Sequence, residues 1–380
     1  MRELLSMPPE LNAGVETSWD LYVLGVALAV VLLITALAVY SRYQYRLLPE
    51  LRLQSDSALA AQGNLDHCVI IPARDDEAVI GRAVRSFPES LRVVVDDHST
   101  DATVLRAEEA GATVRVARPM ERGWLSKSNA CWTGALYTDS AWILFTDPDT
   151  WYEPRFLPSL LAYAAANSLH AATVLPRQNL VKWYEKMLVP YAMGLSFTGV
   201  SARNLGNPKH PESMANGQCL LFRRSAYSFI GGHKAVAPHP LEDLALARLI
   251  KRHRMSMAVL RCESMAQTRR YNSFAATWRG LEWMVLHAAR AYGKSPMLFL
   301  GSILVSTLWL PLLVVLIGWK YYLPAGILFL TPILAWRAWY GSFLRALWAP
   351  FAVCLFPLIA FTALVRGALG SMTDSQGRRV

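Results

Sequence analysis

Apolar residues run without a charge from Leu21 to Tyr40, from Pro296 to Trp319 and from Ala346 to Val365. Each run has the roughly 20 residues that a helix needs to cross a bilayer core. Between the first two, the pattern changes to short apolar strings broken by polar turns. His67–Ile71, Leu91–Val95, Thr113–Ala117 and Trp142–Phe145 read as strands, and 77–86, 101–110 and 126–137 as helices. Strands that alternate with helices at this spacing predict an α/β domain with a mostly parallel sheet and right-handed crossovers. The predicted organisation is a tail over 1–20, an anchor over 21–41, the α/β domain over 65–270 and an interfacial helix over 271–295. Transmembrane helices over 296–368 and a tail over 369–380 complete it.

The first run reads as an uncleaved anchor, because a basic leading region and a small-residue cleavage site are both missing around it. Glu10, Glu16 and Asp20 precede it, whereas Arg42, Arg46 and Arg52 follow. The excess of basic residues after Tyr40 places the following domain on the cytoplasmic side. The segment Tyr321–Trp336 carries Pro324 and Pro332. It reads either as a further C-terminal span reaching Tyr340 or as a re-entrant segment, and three C-terminal spans are preferred over two.

Hydrophobic residues make up 53% of the chain and the net charge is +10. The basic residues gather beside apolar runs, which suits anionic lipid headgroups better than nucleic acid. Five scattered cysteines without a CxxC pair argue against a disulfide framework and a zinc site. His98, His210, His233 and His239 form no metal-binding spacing either. The absence of GxGxxG and of a Walker loop disfavours a dinucleotide dehydrogenase and a P-loop enzyme.

Three acidic clusters carry the candidate chemistry. Asp96-Asp97 and Asp147-Pro148-Asp149 each end an apolar strand, and open α/β sheets bind ligands at that edge. A carboxylate there can accept from a base N–H, which is assigned to Asp97, with Asp96 and the loop Pro72-Ala73-Arg74-Asp75-Asp76-Glu77 beside it. The alternative is that one of Asp96 and Asp97 only caps the helix expected near Ser99. Asp147 and Asp149 offer hard oxygens to Mg2+ or Mn2+. Glu242-Asp243 precedes a helical stretch, Leu244–Arg252, and one of the two can take a proton while the other caps. Lys127, at a helix start where the dipole disfavours a cation, points to a phosphate or base partner.

The ordered series Val69-Ile70-Ile71-Pro72-Ala73-Arg74-Asp75-Asp76-Glu77, Val93-Val94-Val95-Asp96-Asp97, Gly123-Trp124-Leu125-Ser126-Lys127, Thr146-Asp147-Pro148-Asp149, Ala215-Asn216-Gly217-Gln218 and Leu241-Glu242-Asp243 resembles a family 2 glycosyltransferase. The resemblance covers roughly 65–290. It implies a GT-A fold, a nucleotide-sugar donor, a divalent cation on a DxD motif with Asp149 the more direct ligand, and Asp243 as general base of an inverting transfer. Ser126 stands where that family often carries glycine.

Gln267-Thr268-Arg269-Arg270-Tyr271 is similar to the family's QxxRW element, with Tyr for Trp. By that resemblance Gln267, Arg270 and Tyr271, with Gln218 and His233, are assigned to the diphosphate or acceptor. The stretches 216–224 and 242–248 look most like the branch acting on carotenoid or hopanoid lipids. The expectation is therefore a multi-pass transferase of the inner membrane with a cytoplasmic catalytic domain, a lipid acceptor and no nucleic-acid partner. A processive polysaccharide synthase and a catalytically silent sugar-nucleotide binder are the alternatives.

Overall fold

The computed structural model describes residues 9–55, 65–269, 271, 273–291 and 296–369. These described residues fall into two compact units, the first within 1–45, 181–199 and 274–379 and the second within 46–180 and 200–273.

The second unit is built on an eight-stranded sheet. Its strands are β1 His67–Ala73, β2 Leu91–Asp96, β3 Thr113–Val116, β4 Trp142–Thr146, β5 Thr150–Tyr152, β6 Ala171–Gln178, β7 Cys219–Arg223 and β8 Met257–Thr268. The order is β3-β2-β1-β4-β7-β6-β8-β5. β7 pairs antiparallel with β4 and β6, and β5 pairs antiparallel with β8, while the remaining pairings are parallel. The sheet is therefore mostly parallel, as its sequence predicts.

The central strands are buried on both faces, as near-continuous apolar runs in a parallel sheet require, whereas the edge strand β3 is largely exposed. Val69 and Ile71 of β1 pack on one side with Ala83 and Leu160 from flanking helices. Cys68 and Ile70 pack on the other with Ala130, Ala135 and Leu246. All five cysteines are free thiols and four are buried, in keeping with small apolar residues. Helix Ser126–Leu136 lies close on the sheet at Gly134, where an added Cβ would come within 2.5 Å of Ile70 Cγ2 and 3.0 Å of Val95 Cγ2. Gly134→Ala is expected to cost about 1–3 kcal/mol by overpacking, read as a lower thermal midpoint of the detergent-solubilised protein.

Register explains where the site forms. Ala73 lies opposite Asp96, and Thr146 lies opposite Cys219. The ends of β1, β2 and β4 and the start of β7 thus share one edge, which gathers the loops beginning at Arg74, Asp97 and Asp147 and the loop ending at Gln218.

The other unit is helical. Among the described residues three helical segments are long and apolar enough to cross a membrane: Ser18–Leu47, Gly301–Gly318 and Ala349–Ala368. Large apolar side chains stay exposed along them, including Leu21, Leu32, Leu310, Val314, Phe361 and Leu364, a contiguous apolar surface that suits lipid rather than water. Tyr322–Tyr340 is one continuous helix, not a re-entrant turn. Arg337 and the closing Trp-Tyr pair leave it less apolar than the other three, so two C-terminal helices rather than the preferred three have the character of spans.

Trp183–Ser196 belongs to this helical unit although its sequence neighbours on both sides belong to the sheet unit. It is buried nearly all round, and the Tyr340 hydroxyl donates to the Met187 carbonyl at 2.7 Å. The expected interfacial helix is Phe274–Ala291, whose Ala276, Thr277, Leu281, Glu282 and Val285 are buried. Glu282 accepts from Trp278 Nε1 at 3.0 Å and pairs with Arg366 at 3.0 Å. That helix is therefore packed into the bundle through a buried carboxylate. Lys294 and the tail arginines Arg378 and Arg379 lie outside the described residues.

Candidate active site

Asp96 and Asp97, expected to share a role, separate. Both oxygens of Asp96 accept the Ser99 N–H, at 3.2 and 3.3 Å, so this carboxylate holds a turn. No helix starts at Ser99. The helix begins at Thr103, and Asp101, just before it, accepts the Thr103 N–H at 2.9 Å. Asp97 Oδ2 instead accepts from Ser126 Oγ and from Arg74 Nη1 at 3.4 Å. Its backbone N–H donates to the Ala73 carbonyl at 2.9 Å.

The loop after β1 is tied to the loop after β2. Asp75, with φ of 55°, accepts the Thr100 N–H at 2.7 Å. Glu77 accepts the Ala102 N–H at 3.0 Å, while its own N–H donates to Asp101 at 3.1 Å. Glu77, expected near the nucleotide, ties these two loops together. Pro72 and Ala73 are the last residues of β1, and Arg74 follows beside Asp97.

Lys127 lies at the centre of the site. Its Nζ is 2.7 Å from Asp147 Oδ1 and 3.0 Å from Glu242 Oε1. The two carboxylates hold its pKa well above the usual value and outweigh the opposing effect of burial, the largest single influence. The ammonium thus bridges two of the acidic clusters, where the sequence pointed only to a phosphate or base.

Glu242 and Asp243 sit in the first turn of helix Glu242–Arg252 rather than before it. Asp243 Oδ2 accepts the Gly217 N–H at 2.7 Å and Oδ1 accepts the Leu244 N–H at 2.7 Å. Burial, then the neighbouring Glu242 charge, push its carboxyl up to about 6, against Lys127 and the two N–H groups. Gly217 is where these groups meet: an added Cβ would lie 3.0 Å from Lys127 Nζ, 3.4 Å from Asp243 Oδ2 and 3.5 Å from Glu242 Oε1.

Asp149 Oδ1 lies 3.2 Å from Thr150 Oγ1 and 3.4 Å from Thr268 Oγ1. Asp147 and Asp149 flank Pro148 on one turn, closed by the Thr150 N–H on the Asp147 carbonyl at 3.2 Å. Among the described residues no three His, Cys, Asp or Glu side chains cluster as a metal site. Two carboxylates on a turn fit Mg2+ or Mn2+ only where water and oxygens of a bound ligand complete the shell, which is how Mg2+ is commonly held.

The remaining assigned residues are dispersed. Gln218 is buried, and its Nε2 donates to Thr268 Oγ1 at 2.8 Å. His233 is buried beneath Phe145, with ring centroids 4.6 Å apart and Nδ1 2.8 Å from the Tyr227 hydroxyl. Burial, then the Lys127 charge, push its pKa down to about 3, so it is neutral at pH 7. Gln267 lies on β8 opposite Trp151 of β5, and Tyr271 is buried. Arg270 lies outside the described residues.

Gly217 and Thr268 are the site residues that the motif reading passes over. A glycine with no positive φ inside Asn216-Gly217-Gln218 signals a close approach rather than a turn, and Thr268 adjoins the assigned Gln267.

Residues 68–231 match the family described as Glycosyl transferase family 2. The match is to a glycosyltransferase domain and takes in the ends of β1, β2 and β4. The match ends before Glu242, so the roles of Glu242 and Asp243 rest on their geometry. A 4,4'-diaponeurosporenoate glycosyltransferase from Staphylococcus haemolyticus is 28% identical over 213 residues, which is 54% of this chain and 56% of that one. One of the same name from Staphylococcus aureus (strain MRSA252) is 28% identical over 185 residues, 47% and 49% respectively. The chain thus spans about half the length of these curated relatives. The solved mannosyltransferase from Pyrobaculum calidifontis, in complex with GDP-Man and Mn2+, aligns with a TM-score of 0.55. It is 14% identical, covering 88% of this chain and 99% of that one, a likeness that shows the GT-A-like fold.

Proposed function

We propose that the chain transfers a hexosyl group from a nucleoside diphosphate sugar, a uridine diphosphate sugar in the first instance, to a membrane lipid. Asp243 carries this reading: a carboxylate pushed up to about 6, held by the Gly217 N–H and flanked by the Lys127 cation. A base poised near the working pH can remove a hydroxyl proton as the bond forms. As the acceptor oxygen attacks the anomeric carbon from the face opposite the diphosphate, Asp243 takes its proton. The diphosphate leaves with the bonding pair, and the anomeric centre inverts. Glu242, paired with Lys127, keeps the cation beside the departing charge. Asp147 and Asp149 would hold Mg2+ or Mn2+, which supplies charge stabilisation to the leaving diphosphate. Asp97 takes the base, and Gln218, Gln267, Arg270 and Tyr271 are assigned to the diphosphate and acceptor.

The lipid acceptor is supported by the three span-length helices in the same chain and by the carotenoid-derived acid in the relatives' names. The acidic residues before the first span and the arginines after it support a cytoplasmic catalytic unit on the inner membrane. Two C-terminal spans would put Arg378 and Arg379 on that same side, in accord with the charge rule. Membranes holding the protein, incubated with radiolabelled sugar nucleotides and Mn2+ or Mg2+ and then extracted, are expected to carry label in the lipid phase. Label confined to a polymer would move the reading to a polysaccharide synthase. Nucleotide binding with no transfer to any acceptor would leave a silent binder.

A further inference from the structure

Asp97 is only 9% exposed, yet its two carboxylate oxygens are used unequally. Oδ2 receives both the Ser126 hydroxyl and the Arg74 guanidinium, whereas among the described residues no group donates to Oδ1. Oδ1 is not among the atoms sealed from solvent without a partner, so it stays open to a donor on a bound ligand. Ser126 is the first residue of its helix, but its hydroxyl makes no cap and turns sideways to Asp97. The carboxylate is also fixed from behind, because the Asp97 N–H is held by the Ala73 carbonyl at the sheet edge.

We propose that Ser126 is a specificity-determining positioning residue: with Arg74 it occupies Asp97 Oδ2 and leaves Oδ1 as a fixed acceptor for a ring N–H of the donor's base. The proposal rests on the nucleotide-sugar reading above. Uracil N3–H and guanine N1–H can donate to such an oxygen. The ring nitrogens of cytosine N3 and adenine N1 present lone pairs and are repelled. A site built around one hydrogen bond rejects an analogue lacking it more strongly than an apolar pocket rejects a change of size. The hydroxyl at 126 therefore selects among bases without touching them.

Calorimetric titration of the full-length protein in detergent, with Mn2+ and with UDP, GDP or CDP, tests this. Wild type is expected to bind UDP or GDP at least about tenfold more tightly than CDP, a difference of roughly 1.4 kcal/mol. Ser126→Ala should weaken the preferred nucleotide and leave CDP unchanged, so that the ratio shrinks. Ser126→Thr, which keeps a hydroxyl, should restore it. Asp97→Asn, whose amide can donate to cytosine N3, should shift the preference toward CDP. An undiminished ratio in Ser126→Ala, or equal weakening of all three nucleotides, would overturn the role of Ser126. Wild-type binding without discrimination would overturn the base argument and leave the nucleotide reading standing. No binding of any of the three would overturn that reading itself.

Discussion

Asp243→Asn is expected to lower turnover on the order of 10²–10⁴-fold, the usual contribution of a positioned general base, while donor affinity stays within about threefold. The amide has nearly the same shape and can still accept the Gly217 N–H that holds Asp243 at 2.7 Å. It cannot take a proton. Glu242 is not placed to substitute, since its carboxylate is 3.0 Å from Lys127 Nζ and serves that cation. Initial rates at saturating donor, set beside a donor titration, separate the two effects. A variant that turns over at nearly the wild-type rate would show that the acceptor arrives already deprotonated or that another base acts.

Lys127→Met is expected to lower kcat/KM on the order of 10²-fold or more, as loss of a group stabilising transition-state charge does. The cation is 2.7 Å from Asp147 and 3.0 Å from Glu242. Its removal leaves these carboxylates beside Asp243 with no compensating charge. The charge Lys127 placed beside the diphosphate must then come from the divalent cation alone, so the donor's apparent affinity should fall and should depend more steeply on Mn2+ concentration. Lys127 is 38% exposed, so water screens its pairs and the loss of fold stability is smaller than for a buried pair. A variant with wild-type Mn2+ dependence would contradict the bridge. The raised Lys127 pKa contributes stability that is fully present below the ordinary lysine value and lost only as pH rises through the raised one. The bridge is therefore intact throughout the neutral range.

Much of this arrangement is legible along the chain, because burial on both faces of a parallel sheet forces strands such as Leu91–Asp96 and Trp142–Thr146 to read as apolar runs. The same rule puts Asp97 and Asp147 at a common edge. Through-space charge pairing is not legible. Nothing in the spacing of Lys127 and Glu242 announces that antiparallel β7 brings the Gly217 loop, and with it Asp243, back to the end of β4.

Backbone N–H groups also claim carboxylates that look free in sequence, as with Asp96 on Ser99 and Glu77 on Ala102. Trp183–Ser196 carries two conflicting signs in its sequence. Its Lys182, Trp183 and Lys186 suggest a surface helix, but Leu188, Val189, Tyr191, Ala192 and Leu195 leave no polar face beyond the first turn. Apolar residues on all sides are the sign of a buried helix, and that sign outweighs the charges at its start.

The most direct test of Asp243 as acceptor base is the pH dependence of kcat/KM for transfer to lipid by the protein in vesicles, for wild type and Asp243→Asn. The carboxyl is pushed up to about 6, so its basic form is lost as pH falls through that value. Wild type is expected to show a single-proton acid limb near pH 6 and a plateau above it. The Asn variant should show a low rate without that limb. An unchanged limb near 6 in the Asn variant, at a rate close to wild type, would contradict the assignment of Asp243.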